Sequence, residues 1–144
     1  MTIVERLAEA KRTGNCAAMI EAVPYSMFLG LTARVDAGAL VTVMKYAPEL
    51  IGNPALPALH GGTIGALLES AAVFELLWRA ESIVLPKTIT ITVDYLRSAA
   101  PVETYARATI TKQGRRVANV RVEAWQSDAA QPVAIAHVIA LVMS

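Results

Sequence analysis

The run from Gly62 to about Ala80 constrains this chain more than any other segment. It reads as one long helix, and its central part, Thr63–Phe74 (TIGALLESAAVF), carries a single formal charge, Glu69. A helix that is apolar nearly all round must be covered on most sides. The sequence after it is sheet-like. Thr88–Tyr95 (TITITVDY) alternates threonine with isoleucine or valine at period two. Thr104–Lys112, Val117–Gln126 and Val133–Val142 follow, with turns at Gln113-Gly114 and around Ser127–Pro132, and their short links favour an antiparallel meander. Ahead of the helix, Phe28–Val35 and Leu40–Tyr46 read as a strand pair turning at Asp36-Ala37-Gly38. This order predicts an α+β fold with a curved antiparallel sheet wrapped around one central helix.

Residues 3–12 place Ile3, Val4, Leu7 and Ala8 on one face of an amphipathic helix, and a short helical piece around Ala17–Ala22 leads to Pro24. The expected organisation is an N-terminal helical segment over residues 1–24 and a single domain over residues 25–144. Pro48 to Pro57, punctuated by Gly52-Asn53-Pro54, reads as an irregular loop that delivers the chain to His60. The helix start is expected near Gly62 or Thr63. Glu75, Arg79 and Glu81 mark where it should meet water again.

Composition limits the function. Hydrophobic residues make up 55% of the chain and charged residues 17%, too little charge for a small monomer's surface, so part of that surface is expected in an oligomer. A net charge of +1, with Lys112, Arg115 and Arg116 as the main basic cluster, argues against nucleic-acid binding. Cys16 stands alone, which excludes an internal disulfide and suits a reducing compartment. There is no apolar 18-residue run to cross a membrane, and Glu5 and Glu9 make the first residues unlike a signal peptide. A cytoplasmic location is expected. His60 and His137 lack metal-ligand spacing, and no phosphate-binding loop is present, so neither metal nor cofactor is expected. Trp78 and Trp125 read as packing residues.

The candidate chemistry gathers in GNPALPALHGGTIGALLES. Asn53 offers a neutral hydrogen-bonding side chain in a stiff loop. Gly61 and Gly62 let backbone N–H groups approach a ligand at a helix N-terminus, where the dipole favours developing negative charge. Glu69 is costly to desolvate unless it is paired or reaches a wet cleft. It reads as an active-site carboxylate, with a salt-bridged structural role as the alternative. Glu69 lies about 10 Å along the helix from Gly62, so one helix cannot bring both to the same atom. Two facing subunits could. An oxyanion donor opposite a carboxylate suits attack on an activated carbonyl, with Glu69 as general base or nucleophile. His60 takes part directly or orients its loop; His137 reads as a sheet histidine.

Leu59-His60-Gly61-Gly62, then Leu68-Glu69-Ser70, then VDYLRSA at Val93–Ala99 and KQGRRVANVRVEAW at Lys112–Trp125, resemble the hotdog-fold acyl-CoA thioesterases of the PaaI-like, 4-hydroxybenzoyl-CoA-thioesterase-like group. The resemblance covers roughly residues 25–142. It implies thioester hydrolysis, with Gly61 N–H polarising the carbonyl, Glu69 supplied by the opposite subunit, and Asn53 helping to position water or thioester. It places a supporting hydroxyl on Thr88 and puts Val73 where some members carry a threonine. Ser98 stands where members carry a proline. Arg97, Arg115 and Arg116 fall where CoA phosphates are held, Ile64 and Phe74 are expected to touch the acyl group, and Gly62 and Val73 are counted with the substrate-binding residues. The resemblance also implies a homodimer, often a dimer of dimers. Two other readings are a non-catalytic protein binding acyl-CoA or an aromatic ligand, and an acyl-thioester hydratase or dehydratase.

Overall fold

Three short helices lead into the sheet of the computed structural model, which describes residues 1–143. α1 (Ile3–Thr13) starts on a capping box between Thr2 and Glu5 and stops at Gly14, whose φ of 69° is left-handed. α2 (Cys16–Glu21) and α3 (Pro24–Phe28) follow, the latter with proline in its first turn. Leu7, Met19 and Ile20 are fully buried in the same hydrophobic cluster as the long helix. Lys11 Nζ donates to Ala80 O, so α1 also caps that helix at its C-terminal end.

The strand expected from Phe28 starts later. Phe28 closes α3, Gly30 turns the chain at φ 69°, and β1 (Leu31–Asp36) begins beyond it. β1 pairs with β2 (Ala39–Met44) across Ala37 and Gly38, both at positive φ as a tight hairpin turn requires. The loop expected between Pro48 and Pro57 is partly regular. A 3-10 turn at Pro48–Leu50 precedes β3 (Ile51–Asn53), which pairs with β4 (Ala58–Leu59). The prolines occupy the turn and the hairpin tip, leaving Ile51 free to pair with Leu59.

α4 (Gly61–Arg79) is the long central helix. After it come β5 (Lys87–Tyr95), β6 (Thr104–Gln113), β7 (Val117–Trp125) and β8 (Ala134–Leu141). The six-stranded antiparallel sheet runs β1-β2-β6-β7-β8-β5. The β6–β8 meander is as expected, while β5 lies at the far edge beside β8, with Ile91 opposite Val138.

The sheet's inner face explains how α4 is held. Ala106, Ala108, Ala118, Ala124, Ala134, Ala136 and Ala140 are buried there among Val120, Val122 and Val138. Their small side chains let the helix lie close, and Leu67, Leu68 and Leu77 fill the layer. Burying each leucine contributes about 1.5–3 kcal/mol. Glu75, expected near water, is buried instead. Arg79 Nε donates to Glu75 Oε1 at 2.7 Å and Arg79 Nη2 donates to Gly38 O at 3.0 Å, which ties the β1–β2 turn to the last turn of α4. Arg79 and Glu81 are exposed, as expected.

Candidate active site at the start of the central helix

α4 starts at Gly61 because His60 is its N-cap, a role expected of Gly62 or Thr63. Gly62 N–H donates to His60 Nδ1 at 2.8 Å, while Thr63 N–H and Oγ1 donate to His60 O at 3.0 and 2.7 Å. The cap is held from behind, because His60 N–H donates to Leu50 O at 2.8 Å and Leu59 N–H donates to Ala99 O at 3.0 Å. Gly62 and Thr63 have therefore spent their donors. Gly61 N–H is left without an acceptor among the described residues, at the positive end of the helix dipole.

Gly61 opens onto a cleft of about 280 Å³ lined also by Ile64, Tyr95, Leu96 and Arg97. Tyr95 O–H donates to Gly61 O at 2.7 Å, and Arg97 Nη1 donates to Gln131 Oε1 at 3.1 Å. Gly61, Ile64 and Arg97 thus line one cleft. Tyr95 joins them unannounced, since its only mark in the sequence is its place before Leu96-Arg97. Gly52 is the second residue the sequence reading missed. Its missing side chain makes room for His60, because a Cβ there would lie 2.7 Å from His60 Cα.

Glu69 sits on the other part of the constellation. It follows Gly61 by about 12 Å along the helix axis. It is half-buried and has no hydrogen-bond or ion-pair partner among the described residues. With Gly62, Gly65, Ala66, Ser70 and Val73 it forms a strip of α4 that the chain's own sheet leaves partly open. Phe74 is on the buried side of the helix, 2% exposed in the core.

The remaining candidates are not among the residues that line this cleft. Asn53 Oδ1 accepts from Ala55 N–H at 3.0 Å, which turns the side chain into its own exposed loop. Thr88 is half-buried opposite Ala140, about 23 Å along β5 from Tyr95. Arg115 and Arg116 are exposed at the β6–β7 tip, level with Lys87 through the Val117–Leu141–Lys87 register. That tip is about 26 Å from the Tyr95 end of the sheet. His137 is exposed on the sheet's outer face, between Thr92 and Arg121. Among the described residues, no group of three or more His, Cys, Asp or Glu could hold a metal ion, and no helix is long and apolar enough to cross a membrane.

The thioesterase superfamily matches residues 56–133, which include α4, β5, β6 and β7. A protein of solved structure from Chromobacterium violaceum is 37% identical, with 97% of this chain and 98% of that one covered and a TM-score of 0.79. A phenylacetic acid degradation-related protein from Ralstonia eutropha JMP134 is 26% identical, with 95% and 99% covered and a TM-score of 0.76. A Bacillus halodurans protein solved with CoA shares the fold at 20% identity, with 99% and 89% covered and a TM-score of 0.71. No curated protein matches. The site's glycine turn and helix carboxylate thus lie in a chain that belongs to the hotdog-fold thioesterase superfamily, related to its PaaI-like and 4-hydroxybenzoyl-CoA thioesterase members.

Proposed function

We propose that the protein hydrolyses acyl-CoA thioesters at sites shared by two chains, each formed by Gly61 of one and Glu69 of the other. The observation that carries this reading is Glu69 itself, an unpartnered carboxylate on the open strip of α4. The helix's other acid, Glu75, is buried against Arg79. Two antiparallel α4 helices that set Gly61 against the facing chain's Glu69 have their twofold axis midway, beside residue 65. That residue is glycine, flanked on the strip by Ala66, so two backbones can approach closely there.

The sheet supports the same pairing. β5 is an edge strand with Ile89 58% exposed, an edge that invites a second strand. Antiparallel β5–β5 pairing sets the start of one β5, with Thr88, beside the end of the other, with Tyr95. It also brings the facing chain's Arg115 and Arg116 to the Gly61 end, where Arg97 already lies. These cations suit the phosphates of CoA. A Bacillus halodurans protein of the same fold was solved with CoA, which supports this reading. Two such dimers pair into a tetramer in this reading. Cys16 is buried and unpaired, in keeping with a reducing, cytoplasmic setting.

In the reaction, the thioester carbonyl oxygen accepts from Gly61 N–H, and the bond strengthens as that oxygen gains charge. Glu69 takes a proton from water as the water oxygen bonds to the carbonyl carbon. Alternatively it attacks that carbon itself and forms an anhydride that water then cleaves. Collapse breaks the C–S bond, the electron pair leaves on sulfur, and the proton from water ends on the thiolate. The products are CoA thiol and a carboxylic acid, which loses the second proton of water to solvent and leaves as the carboxylate. His60 serves as the cap that selects Gly61 as the free donor. Its Nδ1 is already engaged with Gly62 N–H, which counts against the proton shuttling that a hydratase needs. Asn53 would have to leave its loop to reach the site.

The test is thiol release from short-chain, long-chain and aromatic acyl-CoAs by wild type and Glu69→Gln. Loss of at least about 100-fold in a folded variant is expected for a missing base or nucleophile. Equal turnover removes Glu69 from the chemistry. Thermal stabilisation by these ligands with no turnover in wild type would make the protein a binder.

A further inference from the structure

We infer that Tyr95 is a positioning residue for the hydrolysis proposed above, holding the Gly61 turn in register with the edge strand β5. Its hydroxyl donates to Gly61 O at 2.7 Å across 34 residues of sequence. Its ring packs against the same residue, since a Cβ on Gly61 would lie 3.3 Å from Tyr95 Cε1 and Cζ and 3.4 Å from its hydroxyl oxygen. Gly61 thus lacks a side chain where Tyr95 needs the space, and Tyr95 anchors the one residue of the first turn whose N–H is free.

The first turn of α4 has other supports, but they differ in kind. His60 fixes Gly62 and Thr63 from within the local chain. Leu50 O and Ala99 O hold the approach to the helix. Of these side-chain contacts, the Tyr95 bond is the one that runs from β5, the strand that meets the facing chain in the shared-site reading. It therefore sets the distance between the Gly61 donor and a carboxylate arriving from across the β5 edge. Gly61 O also belongs to the helical hydrogen-bond ladder, so deleting the phenol hydroxyl leaves that carbonyl bonded and the fold intact. What is lost is registration, and misplacement by about 1 Å can cost about 100-fold in rate. Because the donor acts more strongly on the developing oxyanion than on the bound carbonyl, the loss belongs in kcat and not in KM.

The inference rests on the thioester-hydrolase reading, and one experiment separates their failures. Tyr95→Phe keeps the ring and removes the hydroxyl. Kinetics on the best acyl-CoA substrate are combined with a melting curve and amide exchange at Gly62 and Gly65, whose N–H groups close the first turn. The expected result is kcat lower by about 10-fold or more, KM within about two-fold, and an unchanged fold, with faster exchange in the first turn. Wild-type kcat in the variant, with the native enzyme active, overturns the role of Tyr95 alone. So does a loss confined to KM or a variant that fails to fold. Absence of turnover in wild type overturns the hydrolase reading and the positioning role with it.

Discussion

Gly52→Ala should damage the site from a residue that touches no substrate. Gly52 is not at positive φ, so what it supplies is space. A Cβ at this position would lie 2.7 Å from His60 Cα, 2.8 Å from its Cβ and 3.0 Å from its Cδ2. Carbon atoms pack at about 3.5–4.0 Å, so β3 and His60 must part by about 1 Å. Overpacking of this sort costs about 1–3 kcal/mol. Loss of the His60 cap adds about 1 kcal/mol, for about 2–4 kcal/mol together. For 144 residues, the entropy of unfolding near the midpoint is about 0.3 kcal/mol/K, so Tm falls by about 7–13 °C. Moving His60 also moves the Gly61 donor, and kcat should fall by about 100-fold. Calorimetry and thiol-release kinetics on one preparation read both effects. A Tm within about 2 °C of wild type, together with unchanged kcat, would refute the reasoning.

Gly65→Leu tests where the helices cross. Within one chain a side chain at 65 has room, its Cβ meeting only Tyr95 Oη at 3.5 Å, and a better helix former gains up to about 1 kcal/mol. The variant should keep its secondary structure while sedimentation shows loss of the dimer and turnover falls at least about 10-fold; a fully dimeric, active Gly65→Leu contradicts the crossing. Arg79→Leu leaves Glu75 buried without its partner and should cost about 2 kcal/mol in urea unfolding, tempered by the guanidinium's partial exposure. Most of that loss should return in the Glu75→Leu/Arg79→Leu double variant, and a single-variant loss below about 0.5 kcal/mol would show the pair to be idle.

The sequence made the regular parts legible because their periodicity is local. The apolar run of α4 and the alternation in β5 to β8 each declare an element within a few turns or pleats. Partners distant in sequence were not legible. β5 bypasses β6 for β8, and nothing in TITITVDY chooses between them. Glu75 looked like a surface residue until the Gly38 carbonyl and Arg79 closed around it. The prolines near residue 54 hid a short hairpin because they announce its tip more loudly than its strands. At the site, the Gly-Gly pair and the solitary Glu69 could be read directly. Which glycine keeps a free N–H could not, since that depends on the His60 side chain folding back as a cap, a place more often taken by Ser, Thr, Asp or Asn. Gly52 and Tyr95 act through space alone.

Subunit complementation tests the shared site most directly. Glu69→Gln and Gly61→Ala, each folded and each nearly inactive alone, are unfolded together and refolded as a mixture. A mixed dimer rebuilds one site from the first chain's Gly61 and the second chain's Glu69. With random pairing, about a quarter of wild-type turnover should return. If mixed dimers form and no turnover returns, Gly61 and Glu69 do not meet across the two chains.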